Sequence, residues 1–295
     1  MVNDVFSVII APFIVSVREG VEAALIIAIM LSFLRKAGRM DLSRFVYLGS
    51  IGAVITSVGV SAALSLIWGF FEGAALQIFE GVVVIVASIL LTTMIIWMNR
   101  VGSSISSEIE SAARNSMVAK GGFGLGALAF ALILREGIEL SLFTIALVVQ
   151  EGGGAYIGVF IGLIAAVILG YGIYRGSLRI SFGTFFKWTS VFLVLFAAGM
   201  IAYGIHELQE AGLLLIGPLE VWNINPAQLP DGSYPLFHEN GAIGALLKSL
   251  FGYNGNPSAL EVVAYATYVL MIGVYFISRR RTVNEPKETP HRPKK

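Results

Sequence analysis

The sequence predicts an all-α polytopic membrane protein with seven transmembrane helices, arranged as a 3+3 inverted repeat plus a seventh helix. Three observations carry that expectation. The chain is 56% hydrophobic and 13% charged over 295 residues, and its charges gather between apolar runs instead of spreading as on a soluble surface. Seven runs reach the roughly 20 mainly apolar residues that a hydrocarbon core demands. Finally, Arg18-Glu19-Gly20-Val21-Glu22 returns as Arg135-Glu136-Gly137-Ile138-Glu139, each copy inside a long apolar segment.

The first span, 6–34, has no basic residue before it and a charged cluster within it, so it reads as a membrane helix and not as a cleaved signal. Arg35, Lys36, Arg39 and Arg44 follow in the first loop. Spans 45–70 and 76–98 come next, divided by a short turn containing Glu72, and a loop with Arg100, Arg114 and Lys120 leads to span 123–149. Spans 156–174 and 185–206 are separated by a region holding Arg175, Arg179 and Lys187. The stretch 207–259, rich in Gly, Pro and Asn with Trp222, Tyr234 and Tyr253, is expected to form a cap of short helices or turns before the last span, 260–278. Residues 1–281 therefore read as one transmembrane domain, and 282–295, full of proline and charge, as a disordered tail. Every span should be helical, because lipid offers backbone groups no partner outside their own segment.

Seventeen of the 20 Lys and Arg residues fall on one set of faces, and only Lys248 falls on the other. By the positive-inside rule this places the N-terminus outside and the C-terminus in the cytoplasm, in a multi-pass plasma-membrane protein. Cysteine is absent, so disulfides and thiolate metal sites are excluded.

The copies lie 117 residues apart, and an odd number of helices per copy turns the second upside down. Arg18 sits about 12 residues into its span from outside and Arg135 about 12 from inside, so both reach a depth of roughly 18 Å, near the middle of a ~30 Å core. Within each motif the glutamates stand at i and i+3, and the arginine at i−4 from the second, so all share a face. Gly20 and Gly137 allow a neighbouring helix to come close. Four buried carboxylates against two guanidinium groups leave two surplus negative charges, which must be protonated, paired or met by a cation. Carboxylate oxygens suit hard cations. The plainer reading is a pair of buried salt bridges that only hold helices together; duplication at one depth and the unpaired acids argue against it.

Other candidates lie outward of the motifs. His206, Glu207 and Glu210 end the sixth span on one face, and Glu80 enters the third near its outer end; together they form a possible first-contact site. Glu72 reads as a solvated loop acid, and His238 and Glu239 as exposed loop residues. Met94 and Met98 are one turn apart and read as packing. Tyr203, Trp97 and Trp188 fit an interfacial aromatic belt.

The seven spans, the Arg-Glu-x-x-Glu motif in helices one and four, and the His-Glu-rich outer end of helix six resemble the high-affinity iron permease family, the oxidase-dependent iron transporters. The similarity covers nearly the whole chain. It implies ferric iron uptake into the cytoplasm, with Glu19, Glu22, Glu136 and Glu139 as metal ligands along the path and Arg18 and Arg135 as charge partners. It also implies an oxidase or peroxidase-type partner outside. Iron is then the transported substrate, and no resident cofactor is expected.

From the residues alone, a proton- or sodium-coupled carrier using the same glutamates stays open, as does transport of manganese or lead. An enzyme is not expected: no His-Glu-x-x-His zinc motif occurs, and His206 is the sole histidine on a span. A Gly-rich Lys-Ser/Thr phosphate loop is missing as well. A scaffold would explain the external loop but leave the midplane charges without a task, and nothing points to nucleic acid.

Overall fold

A computed structural model describes residues 2–101, 104–174, 182–230 and 232–284. Among these residues every regular element is helical, as the solvation argument requires of a membrane chain. The helices are α1 (Val2–Lys36), α2 (Ser43–Trp68), α3 (Gly73–Val101), α4 (Ile105–Glu151), α5 (Ala155–Tyr174), α6 (Phe182–Glu210), α7 (Ala242–Phe251) and α8 (Ala259–Asn284). A single 3-10 turn, Met40–Leu42, joins α1 to α2. Six helices, α2 to α6 and α8, are long and apolar enough to cross a membrane. α1 is longer than most, but Arg18, Glu19 and Glu22 in its middle keep it out of that set.

Three pairings dominate the packing: α1 on α5, α2 on α4 and α3 on α6, followed by α1 on α4. Close approaches at glycines give their directions. A β-carbon on Gly158 would collide with the Ile9 carbonyl, and one on Gly170 with Ala24, so α1 and α5 run parallel. Likewise one on Gly49 would strike the Gly126 carbonyl, and one on Gly137 would strike Ser57, so α2 and α4 run parallel. α3 and α6 are antiparallel, since Gly81 faces Gly204 while the Ser88 hydroxyl donates to the Ala197 carbonyl at 2.9 Å.

Two apolar clusters fill the interior. One contains Ala11, Val15, Val84, Leu91, Phe143, Leu147 and Leu193; the other contains Met30, Leu34, Val46, Ile109, Leu125, Ala129 and Ile133. Along both α1 and α4 the charged motif lies between them. Ala11 and Val15 share a cluster with Phe143 and Leu147, and Met30 and Leu34 share one with Leu125 and Ala129, so α1 and α4 run in opposite directions.

Several boundaries differ from expectation. The stretch before the fourth span is helical from Ile105, because Ile109 and Ala113 bury against the α1 end, where Arg114 stacks over Phe33 at 5.8 Å. The chain then turns at Lys120 and Gly121, the latter at φ 56°, a conformation that suits a residue without a β-carbon. The outer connection is shorter than 207–259, since α6 runs to Glu210 and α7 interrupts it. α8 continues through Asn284, so Thr282 to Asn284 are helical instead of disordered; the remaining tail, 285–295, lies outside the described residues, as do Arg175 and Arg179.

Candidate cation site

Helix periodicity places each motif's arginine one turn from its second glutamate, and both pairs form. Arg18 lies 3.3 Å from Glu19 through Nη1 and 3.3 Å from Glu22 through Nη2. Arg135 Nε lies 2.9 Å from Glu139 and 4.0 Å from Glu136. The chain brings the two motifs together: one carboxylate oxygen from each of Glu19, Glu136 and Glu139 lies within 4.8 Å of the others. Among the described residues this is the one group of three or more His, Asp or Glu side chains with metal-ligating spacing. Glu22 stands beside it and pairs with Arg18.

The cluster is under-satisfied. Glu19 Oε2, Glu22 Oε1, Glu136 Oε2 and Glu139 Oε2 are buried without a hydrogen-bond partner, as are Arg18 Nε and Nη2. The Arg18 to Glu22 contact is thus an ion pair without hydrogen-bond alignment. Each such group costs about 1–3 kcal/mol when left unmade, more for a charge, so orphaned oxygens here are either a defect or a place for a cation. Three converging carboxylates, in a cluster with two negative charges in excess, can take a hard cation and offset that cost.

α3 supplies a second layer that the sequence reading missed. The Arg18 Nη1 group donates to the Met94 sulfur at 2.6 Å, and the Arg135 guanidinium lies over the Trp97 ring, 4.8 Å from its centroid. Met94 and Met98 are buried, but Met94 does more than pack, and Trp97 is not merely an interfacial aromatic. Their three-residue spacing on a helix facing both motifs was the available signal.

The outer candidates separate into members and bystanders. A cavity of about 330 Å³ opens among Glu151, Tyr203, His206, Glu207, Glu210, Glu239, Lys248 and Glu261. At roughly 30 Å³ per water it has room for a hydrated ion. His206 is held between two carboxylates, Nδ1 at 3.1 Å from Glu261 and Nε2 at 3.2 Å from Glu210. Those contacts lie on opposite ring edges, so the three do not converge on one point. Glu80 instead accepts a 2.8 Å bond from the Trp68 indole, and Glu210 one of 2.9 Å from Gln77. Glu72 is exposed in the turn before α3. His238 stays out of the cavity, stacked on Tyr234 and accepting from the Asn240 amide. Tyr203 lines the cavity, which corrects its assignment to a belt; Trp188 remains exposed.

Glu261 and Glu151 were missed. Glu261 could have been found, because Ser258 and Glu261 form a capping box: the Ser258 amide donates to the glutamate at 3.2 Å and the Glu261 amide to the serine hydroxyl at 3.2 Å. Glu151 carried no such signal.

Comparisons with known proteins bear on the chemistry. A sequence profile of the iron permease FTR1 family matches residues 9–283. The ferrous iron permease EfeU of Yersinia pestis is 32% identical over 278 residues, spanning 92% of this chain and 94% of that protein. Its counterpart in Escherichia coli O6:K15:H31 is 32% identical over 270 residues, 90% of this chain and 94% of its own length. No solved structure matches the chain.

Proposed function

We propose that this chain, which belongs to the iron permease FTR1 family, moves iron across the membrane into the cytoplasm by way of Glu19, Glu22, Glu136 and Glu139, with Arg18 and Arg135 neutralising the site when it is empty. The observation that carries the proposal is the meeting of Glu19, Glu136 and Glu139 from two copies of one motif, with unpartnered buried oxygens on all three. Buried polar atoms usually find a partner, so four orphaned carboxylate oxygens in one cluster favour a site over a pair that serves only stability.

We infer seven spans, with α1 as the one whose charges belong to the site. An inverted 3+3 repeat accounts for the packing: exchanging α1 with α4, α2 with α5 and α3 with α6 turns the α1–α5 and α2–α4 pairings into each other and leaves α3–α6 and α1–α4 unchanged. It also relates Gly158 against Ile9 to Gly49 against Gly126. The opposite directions of α1 and α4 are what such a repeat requires. The N-terminus is taken as outside, so the cavity around His206 and Glu207 meets iron first and the motifs receive it about three turns further in along α4, roughly 18 Å.

The all-oxygen donor set favours Fe(III), a hard cation, and an oxidase or peroxidase-type partner outside would then supply it. A second reading, Fe(II), is favoured by two observations: the two surplus negative charges balance a divalent ion, and the relatives are named ferrous iron permeases. Entering charge is driven inward by about 2.3 kcal/mol per elementary charge per 100 mV. Uptake of labelled iron into proteoliposomes, offered as Fe(III)-citrate and as Fe(II) with ascorbate, tests both. Glu19→Gln and Glu139→Gln should each lower uptake by about a hundredfold, the cost of one charge-assisted contact of ~2–3 kcal/mol. Unchanged uptake in both variants refutes the site.

A further inference from the structure

Resting on the permease reading, we propose that Trp97 is a positioning residue for transport, whose ring holds the Arg135 guanidinium when Glu136 and Glu139 turn from it to the cation. In the empty site Arg135 has one close carboxylate, Glu139 at 2.9 Å, with Glu136 at 4.0 Å. Glu139 is also one of the three carboxylates that converge. A cation arriving on the unpartnered Oε2 of Glu139 shares that carboxylate with the guanidinium on Oε1, and the two positive charges repel, which loosens the Arg135 pair.

The first motif has no such freedom. Arg18 is fully enclosed, pressed on the Met94 sulfur and flanked by both of its own carboxylates. The side chain of Arg135 is 43% exposed and already lies 4.8 Å from the centroid of an indole, the ring that attracts a guanidinium most strongly. Withdrawal from Glu139 therefore leaves the guanidinium on a surface that is in place beforehand. The attraction grows as the competing carboxylate is removed, so the ring stabilises the loaded site more than the empty one. Met94 and Trp97 are three residues apart on α3, so one helix face governs both arginines: sulfur fixes one and the indole lets the other move.

The test is binding of Fe(II), under nitrogen, and of Fe(III)-citrate by the purified full-length protein in detergent, followed by calorimetry, alongside uptake kinetics in proteoliposomes. Trp97→Leu should weaken binding about tenfold and raise KM by a similar factor, while the maximal rate changes less than about twofold. Trp97→Phe, which keeps a π face, should stay within about threefold of the wild type. In an Arg135→Gln background, Trp97→Leu should have no further effect, because the ring then has no guanidinium to hold. An equal loss with and without Arg135 would make Trp97 a packing residue and overturn the inference. Unchanged binding in Trp97→Leu would overturn it too. Wild-type protein that neither binds nor takes up iron would sink the permease reading and this inference together; wild-type binding separates the two failures.

Discussion

The two Arg-Glu-Gly-x-Glu motifs carry the same charges at the same spacing, yet Arg18 is wholly buried while the side chain of Arg135 keeps 43% of its surface. Local sequence is not the cause of the difference. α3 closes in the first motif through Met94, which meets Arg18, whereas Arg135 lies over the Trp97 ring; α7 packs on α1 about three turns away, where Ser249 donates to the Ser7 carbonyl at 2.9 Å, and α8 packs on α6. α3 in turn reaches over to α4, and the Thr92 and Tyr268 hydroxyls tie it to α8 at 2.7 Å. The two motifs therefore present matching charges, and the α3 side chains packed on them make their surroundings unequal. On the proposed function, a symmetric site would hold a cation equally from both sides, whereas a fixed half and a yielding half would give the ion a direction in which to leave.

The sharpest test of that contrast removes each arginine in turn. Arg18→Leu strips two buried carboxylates of their cation, and breaking a buried pair in this way costs about 3–5 kcal/mol. Arg135→Leu takes one partner from Glu139 at a position that the rest of the fold covers only in part, so the loss should be smaller than for Arg18. Thermal unfolding in detergent should show a large fall in the midpoint for the first and a small one for the second. Equal falls would mean that the two halves are alike in energy whatever their exposure.

The glycines should behave in the opposite way, symmetrically. A β-carbon on Gly20 would stand 2.5 Å from the Ala166 β-carbon, and one on Gly137 would collide with the Ser57 side chain. Both contacts are helix packing, untouched by α7 and α8, so Gly20→Ala and Gly137→Ala should each destabilise by about 1–3 kcal/mol. Adding Ala166→Gly to the first and Ser57→Gly to the second should recover most of each loss, measured by the same unfolding midpoint. A cost confined to one motif would place the asymmetry in the helix interfaces instead of the charge surroundings.

Much of this was legible in the sequence, and the physical reason is the solvent. In lipid a charge is so costly that Arg18, Glu19 and Glu22 in an apolar run announce a site by themselves, and helical spacing tells which of them meet. Span ends were read to within a few residues for α1, α5 and α8's start for the same reason. What escaped was whatever depends on contact between distant segments. The helix from Ile105 to Lys120 looked like a loop because its apolar face is only a few residues wide, and it is the end of α1 that buries it. Trp97 looked like an interfacial aromatic, since nothing in its own neighbourhood says that Arg135 lies across its ring. Glu151 belongs to the outer cavity because α7, packed on α1 and α6, brings Lys248 beside it. His206 was placed correctly on its helix face, but its second carboxylate, Glu261, comes from another helix.

The smallest expected effect separates geometry from charge. Arg135→Lys keeps a cation at the end of a flexible stem, within reach of Glu139 one turn away and of the Trp97 ring, at a position that the rest of the fold leaves partly uncovered. The one close pair it must keep is that with Glu139, so this substitution should cost little and leave iron binding within about threefold. Arg18→Lys is a different change, although the residues exchanged are the same. Arg18 spreads two guanidinium nitrogens over two carboxylates and a sulfur at once. A single ammonium cannot cover that fork, so one buried glutamate loses its partner. Unfolding midpoints of the two lysine variants, measured side by side, should therefore differ in the same order as those of the leucine variants, though by less. If Arg135→Lys proved the costlier, the second motif would be the rigid half, and the direction assigned to the site would reverse.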